Sequence, residues 1–172
     1  MSETRNASEA RTGSATGLWL PAIVGALSAV VVAALGATMT DLGPWYQALH
    51  KPPWQPPGWL FGPAWTVIFA LTALSAVTGW RTAPTAAQRD WIVIWFALNG
   101  VLNITWSALF FRLRRPDWAA AEVALLWLSI LCLMVGPVRH STPARLLLLP
   151  YLAWVTFAAA LNVAIVRLNG PF

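Results

Sequence analysis

Three rows of aromatic and amide side chains carry whatever chemistry this sequence offers. Asn99, Asn103 and Trp106 recur at i, i+4 and i+7, with Trp95 one turn earlier, so on a helix they share one face. Tyr151, Trp154, Ala158 and Asn162 make a comparable row, and Trp65, Phe69 and Thr72 a third. An amide in apolar surroundings takes a hydrogen-bond partner, so one account has these groups joining helices while the rings fill the core. The other has the three rows converging on a pocket. Large rigid rings with a few amide and indole donors suit a flat, largely apolar ligand gripped by stacking, its polar groups held at the rim. A porphyrin or a sterol-like lipid has that shape. His50 and Lys51 are placed to reach a propionate at such a rim, and His50 is a candidate haem-iron ligand, against the plainer reading of a solvated loop histidine. No cluster of metal ligands and no nucleophile paired with a base is visible, so the site needs no cofactor and no metal.

The elements that must position these rows lie in a membrane. Of 172 residues 58% are hydrophobic and only 10% charged, with a mean hydropathy of +0.62, whereas roughly a quarter of a soluble domain is charged. Five apolar runs are long enough to cross a bilayer, for which a helix needs about 20 residues. They cover 18–40, 63–80, 91–111, 117–138 and 143–167, and predict a single all-α domain, a five-helix transmembrane bundle over 18–172. Trp19 and Trp80 fall at interfaces, and Asp90 reads as the N-cap of the third span. Gly25, Ala29, Ala33 and Ala37 form a smooth ridge on the first span, for packing inside the bundle or between subunits. Residues 1–17 are polar, of mixed charge and without the basic start of a signal peptide, which predicts a disordered tail.

Charge excludes several functions. The net +5 is spread over loops and ends, without the stripe that binds nucleic acid. Six basic residues on one side of the bundle against five on the other leave its orientation open. Cys132 is the one cysteine, so neither an intrachain disulfide nor a structural zinc site can form. Glu122 is the one acid well inside a span; near the start of the fourth span it is expected at headgroup level, complementing the helix dipole, which speaks against a proton- or sodium-driven transporter.

Between the first two spans lies Trp45–Thr66, WYQALHKPPWQPPGWLFGPAWT, with Trp45, Trp54, Trp59 and Trp65 among six flanking or internal prolines. Proline removes backbone donors and holds the preceding residue extended, so this connection is expected to be non-helical, stiff and folded over the bundle as a lid. Together with NxxWSALFF (Asn103–Phe111) and PYLAWVTFAAALN (Pro150–Asn162), it resembles the translocator protein or tryptophan-rich sensory protein family, TspO, over about residues 18–169. The resemblance implies a five-helix bundle, commonly a homodimer, that binds porphyrins such as protoporphyrin IX, with haem a related ligand. It places Trp65 and Trp154 on the pocket wall, with Trp54, Asn103, Trp106 and Ala158 around the ligand.

Two positions depart from the family pattern. Phe69 stands where many relatives have tyrosine, removing a hydroxyl from the ligand. Val163 in LNVAIVR replaces the tyrosine of the animal sterol-recognition segment, which leaves sterol-like lipids weakly supported. Three functions are compatible with these residues: sensing, buffering or transport of tetrapyrroles with regulation of their metabolism or a stress response; light- or oxygen-dependent porphyrin degradation with Trp65 and Trp154 as catalytic rings; and regulation through a protein partner.

Overall fold

The computed structural model describes residue 23 and residues 25–172; the polar tail, Trp19 and the start of the first apolar run lie outside them. Every regular element among the described residues is helical. Helix α1 is Gly25–Met39, α2 is Pro44–Ala48, and a 3₁₀ turn at Gly58–Leu60 leads into α3, Phe61–Thr82. Helix α4, Ala86–Ser107, continues as a π-helical turn at Ala108–Arg112. Then follow α5, Pro116–Val135, α6, Thr142–Leu147, and α7, Leu149–Asn169. Among the described residues four stretches are long and apolar enough to cross a membrane: Gly58–Thr82, Ala86–Arg112, Pro116–Val135 and Thr142–Asn169. The described part of the first apolar run is shorter than that.

Local chemistry moves several boundaries from their expected places. The connection after α1 is not wholly non-helical: Pro44 takes a first-turn position, where its missing N–H costs nothing, and α2 forms one turn there. Helix α3 starts at Phe61, before Pro63, for the same reason. Thr85, not Asp90, caps α4; its hydroxyl accepts from the Gln88 backbone N–H at 3.2 Å. The pattern Thr-x-x-Gln is a capping-box signature, and the helix begins a turn earlier than the apolar run. The last span is broken at Leu148, because Pro150 has no N–H to continue the ladder; the Leu148 N–H is donated to the Arg145 carbonyl instead.

Helix α5 packs between α4 and α7, and α3 packs against α4 and α6. The core runs through Ile68, Ile92, Leu126, Ile130, Leu133 and Val155. Polar cross-links reinforce it: Ser75 donates to the Ala144 carbonyl at 2.7 Å, and Asn99 donates to the Ser129 hydroxyl at 2.8 Å. Glycine sets the closest approaches. A Cβ at Gly25 would lie 2.9 Å from Val77, so the small-residue ridge of α1 meets α3 within the subunit at that point. A Cβ at Gly79 would lie 2.7 Å from Val138 Cγ1 and 3.7 Å from Ile92 Cδ1, both on buried side chains. Gly79→Val is therefore expected to destabilise the bundle by about 1–3 kcal/mol through overpacking. Gly62→Ala, with nothing within 4 Å of its Cβ, should leave the thermal unfolding midpoint in detergent unchanged or slightly raised; equal midpoints for both variants would refute the packing argument.

Candidate functional site

The aromatic row of α3 meets that of α7. Trp65 stacks on Phe69 with centroids 5.2 Å apart, as one helical turn allows. It presents an edge to Tyr151 at 6.2 Å and to Trp154 at 6.4 Å. Trp154 in turn touches Phe61 at 5.7 Å and Phe157 at 5.6 Å, and Phe157 meets Trp54 of the connecting loop at 5.9 Å. A continuous run of rings thus leads from the half-exposed Trp54 to the buried Tyr151. Offset and edge-on pairs of this kind are each worth about 0.5–1.5 kcal/mol beyond simple burial. Beside the run, an apolar concavity of about 500 Å³ opens between α3 and α7, walled by Leu60, Ala64, Val67, Ala153, Trp154 and Phe157. Trp154 belongs to both the ring cluster and the concavity.

The amides of the α4 and α7 rows are engaged between helices. Asn103 donates to the Tyr151 hydroxyl at 3.4 Å, and the Trp106 indole N–H donates to Asn162 Oδ1 at 3.1 Å. Asn162 donates onward to the Pro116 carbonyl at 2.8 Å. Ala158 is half-buried one turn beyond Trp154. Trp106 faces a second aromatic cluster as well, 5.5 Å from Phe110 and 6.1 Å from Phe111. The π turn brings both of these consecutive phenylalanines inward, and the loop residues Trp45 and Tyr46 pack on them. Burial raises the Tyr46 phenol above its ordinary pKa, partly offset by the hydrogen bond from Gln55.

The structure therefore brings Trp54, Trp65, Phe69, Tyr151 and Trp154 together and sets Trp106 between two clusters. It does not bring His50 and Lys51 to the first cluster. The Lys51 ammonium lies 4.5 Å from the Tyr46 ring centroid and donates to the Gln47 carbonyl at 3.3 Å. The His50 backbone is clasped by Asn169 at the end of α7, whose amide accepts from the His50 N–H at 2.7 Å and donates to its carbonyl at 2.8 Å. Glu122 is more enclosed than its place near a helix start suggested. It is only 7% exposed, and neither carboxyl oxygen has a hydrogen-bond partner among the described residues. Its side chain is therefore turned into the bundle and not onto its surface.

Three contributors were not singled out in the sequence. Phe157 sits at i+3 from Trp154 within the PYLAWVTFAAALN motif, a spacing that already put it on the same face. Ser129 and Asn169 carry no local signal, because their partners are 30 and 119 residues away. Asn169→Ala removes both clasping bonds, a loss of about 1–3 kcal/mol. Limited proteolysis in a bilayer is expected to cut between residues 45 and 62 at least about tenfold faster in this variant than in the parent; unchanged cutting would mean that the ring contacts alone hold the loop.

Most of the chain matches known proteins in sequence. A model of the TspO/MBR family matches residues 21–168. The chain is similar to the tryptophan-rich protein TspO of Chlorobaculum tepidum, 43% identical over 129 residues, covering 73% of this chain and 79% of the relative. It is 35% identical to the protein CrtK of Rhodobacter capsulatus over 81% of this chain and 89% of the relative, and 31% identical to the translocator protein of Bos taurus over 84% and 87%.

Proposed function

This chain belongs to the TspO/MBR family of multi-pass integral membrane proteins, and on that premise we propose that it binds a tetrapyrrole of the protoporphyrin IX type. In this reading it senses, buffers or transports porphyrins and thereby regulates their metabolism or a stress response. The observation that carries it is the ring run Trp54–Phe157–Trp154–Trp65–Phe69 alongside the apolar concavity between α3 and α7. Its volume falls in the range of about 300–1,000 Å³ that small-molecule sites occupy. A flat apolar ligand enters it from the hydrocarbon, between helices, and the indole of Trp154 then offers a stacking surface.

The first apolar run completes a five-span bundle, and the Trp45–Thr66 connection closes over the ligand as a lid. A second copy of the chain completes a homodimer. His50 and Lys51 remain rim candidates for a propionate once the lid has moved. A degradative reading rests on one contact, the edge-on approach of Trp65 to Trp154, which would let one indole relay a hole left on the other by an excited porphyrin.

Quenching of tryptophan fluorescence by protoporphyrin IX in the dark tests the proposal. Micromolar affinity, on the order of −8 kcal/mol, is expected for the parent, with at least about tenfold weakening in Trp65→Phe and Trp154→Phe. Trp91→Phe, at an exposed position on α4, should retain the parental affinity. Weak binding indifferent to all three substitutions would overturn the assignment. Illumination of the bound complex separates binding from degradation, since only the latter yields a porphyrin product that Trp65→Phe abolishes.

A further inference from the structure

The basic residues at the loop end of the bundle are nearly all committed. Arg115 pairs with Asp117 and lies over the Trp118 ring, Arg112 donates to the Thr38 carbonyl, Arg114 lies over the Trp45 ring and Lys51 over the Tyr46 ring. Arg167 differs. It is exposed near the end of α7 and makes no hydrogen bond, ion pair or ring contact among the described residues. It also closes one end of an apolar groove of about 690 Å³ that runs along the α5–α7 seam.

Ala120, Val123 and Ala124 form the α5 wall of this groove, and Ala159, Ala160 and Val163 the α7 wall. Small side chains on both helices leave a trough where larger ones would have met. Ala124, Ala160 and Val163 are exposed, so the trough opens toward the hydrocarbon along its length. Its inner polar groups are already satisfied: the Trp127 indole N–H donates to the Thr156 hydroxyl at 2.9 Å, and that hydroxyl donates to the Leu152 carbonyl at 2.8 Å. Arg167 is therefore the wall side chain left to engage a polar group of a ligand.

Length decides what kind of molecule fits. From Thr156 to Arg167 the α7 wall covers about 16 Å at a rise of about 1.5 Å per residue. The hydrocarbon core of a bilayer is about 30 Å thick, so the groove reaches from headgroup level at Arg167 to about the midplane. That is the depth of one leaflet. A transmembrane helix of a second copy would use the whole seam, whereas a single lipid uses half of it. Apolar fit separates one lipid tail from another only weakly, so discrimination falls to the headgroup. Lys51, Arg112, Arg114, Arg115 and Arg167 stand at this end against Asp41 and Asp117, an excess of base that favours a negative headgroup over a zwitterionic one.

We propose that the α5–α7 groove holds one anionic phospholipid, its phosphate on Arg167 and an acyl chain lying between the alanines of the two helices. A guanidinium presents two parallel N–H donors to a phosphate, which gives this contact direction as well as charge. The site stands independently of the tetrapyrrole reading, because the α3–α7 concavity shares no wall residue with it.

The test uses the full chain in dodecyl maltoside, stripped of co-purifying lipid and titrated with dioleoylphosphatidylglycerol or dioleoylphosphatidylcholine, with bound lipids counted by native mass spectrometry. The first phosphatidylglycerol is expected to bind at least about fivefold more tightly than the first phosphatidylcholine. Arg167→Gln should bring the two affinities to within about twofold of each other. Arg145→Gln, at an exposed position on α6 at the opposite end of the bundle, should keep the parental preference. Ala160→Trp, which fills the groove, should weaken both lipids; if it fails to yield a helical protein, Ala124→Phe on the facing wall takes its place. Equal affinities in the parent, a preference that survives Arg167→Gln, or phosphatidylglycerol binding indifferent to the filled groove would overturn the inference. So would cholesterol that displaces phosphatidylglycerol from the parent, which would make the groove a sterol site, or lipid bound to a monomer and excluded from a dimer, which would make it a subunit interface. Protoporphyrin IX titrated into the same variants separates the two proposals, because its affinity should be indifferent to Arg167→Gln.

Discussion

One amide holds three helices. Asn162 accepts from the Trp106 indole on α4 with its oxygen and donates to the first carbonyl of α5 with its nitrogen, all from a position on α7 that is 1% exposed. In a bilayer no hydrophobic force distinguishes a neighbouring helix from a lipid tail, so packing and such hydrogen bonds fix which helices meet and in what register. The other interhelical bonds repeat the principle at successive levels: Asn99 with Ser129, Asn103 with Tyr151, Trp127 with Thr156. With registers set, the rings have little choice. Trp65, Trp154 and Phe157 are brought to one seam because the backbone amides and side-chain amides above and below them are already spoken for.

The membrane character and the approximate positions of four spans were legible in the sequence, since runs of apolar residues bounded by Arg, Asp and Pro admit few other readings. Helix starts were less so. The Asp90 cap lost to Thr85 because Ala86, Ala87, Gln88 and Arg89 are good helix formers outside the hydrocarbon, and hydropathy cannot see a helix that extends beyond the apolar run. Both accounts of the aromatic-amide rows were visible, but choosing between them needed distances: Asn103, Trp106 and Asn162 bond to one another's helices, while Trp65, Phe69 and Trp154 form the ring surface. The enclosure of Glu122 was not legible, because burial depends on which helices surround a residue, and that is a property of the assembled bundle and not of distance from a helix end.

The loop between α1 and α3 joins the bundle by two different means. Its first part attaches through rings, Trp45 and Tyr46 against Phe110 and Phe111, and its middle through the two backbone bonds that Asn169 makes to His50. Trp54 then reaches across to Phe157. Proline stiffness makes these attachments cooperative, because few backbone torsions between them are free to absorb the release of one. The loop thus behaves as a plate fastened at several points rather than as a string.

The π turn at Ala108–Arg112 couples that plate to the helix order. An ordinary α-helix advances about 100° per residue, so two adjacent phenylalanines would diverge from any narrow seam. The wider turn holds Phe110 and Phe111 within 4.7 Å of each other and buries both. Such a turn holds one residue more than a regular helical turn. That extra residue turns both rings to the same side just before the chain leaves the helix at Leu113, so without it one of the two phenylalanines would face away from Trp45 and Tyr46. An evolutionary record of this segment should show substitutions far more readily than insertions or deletions.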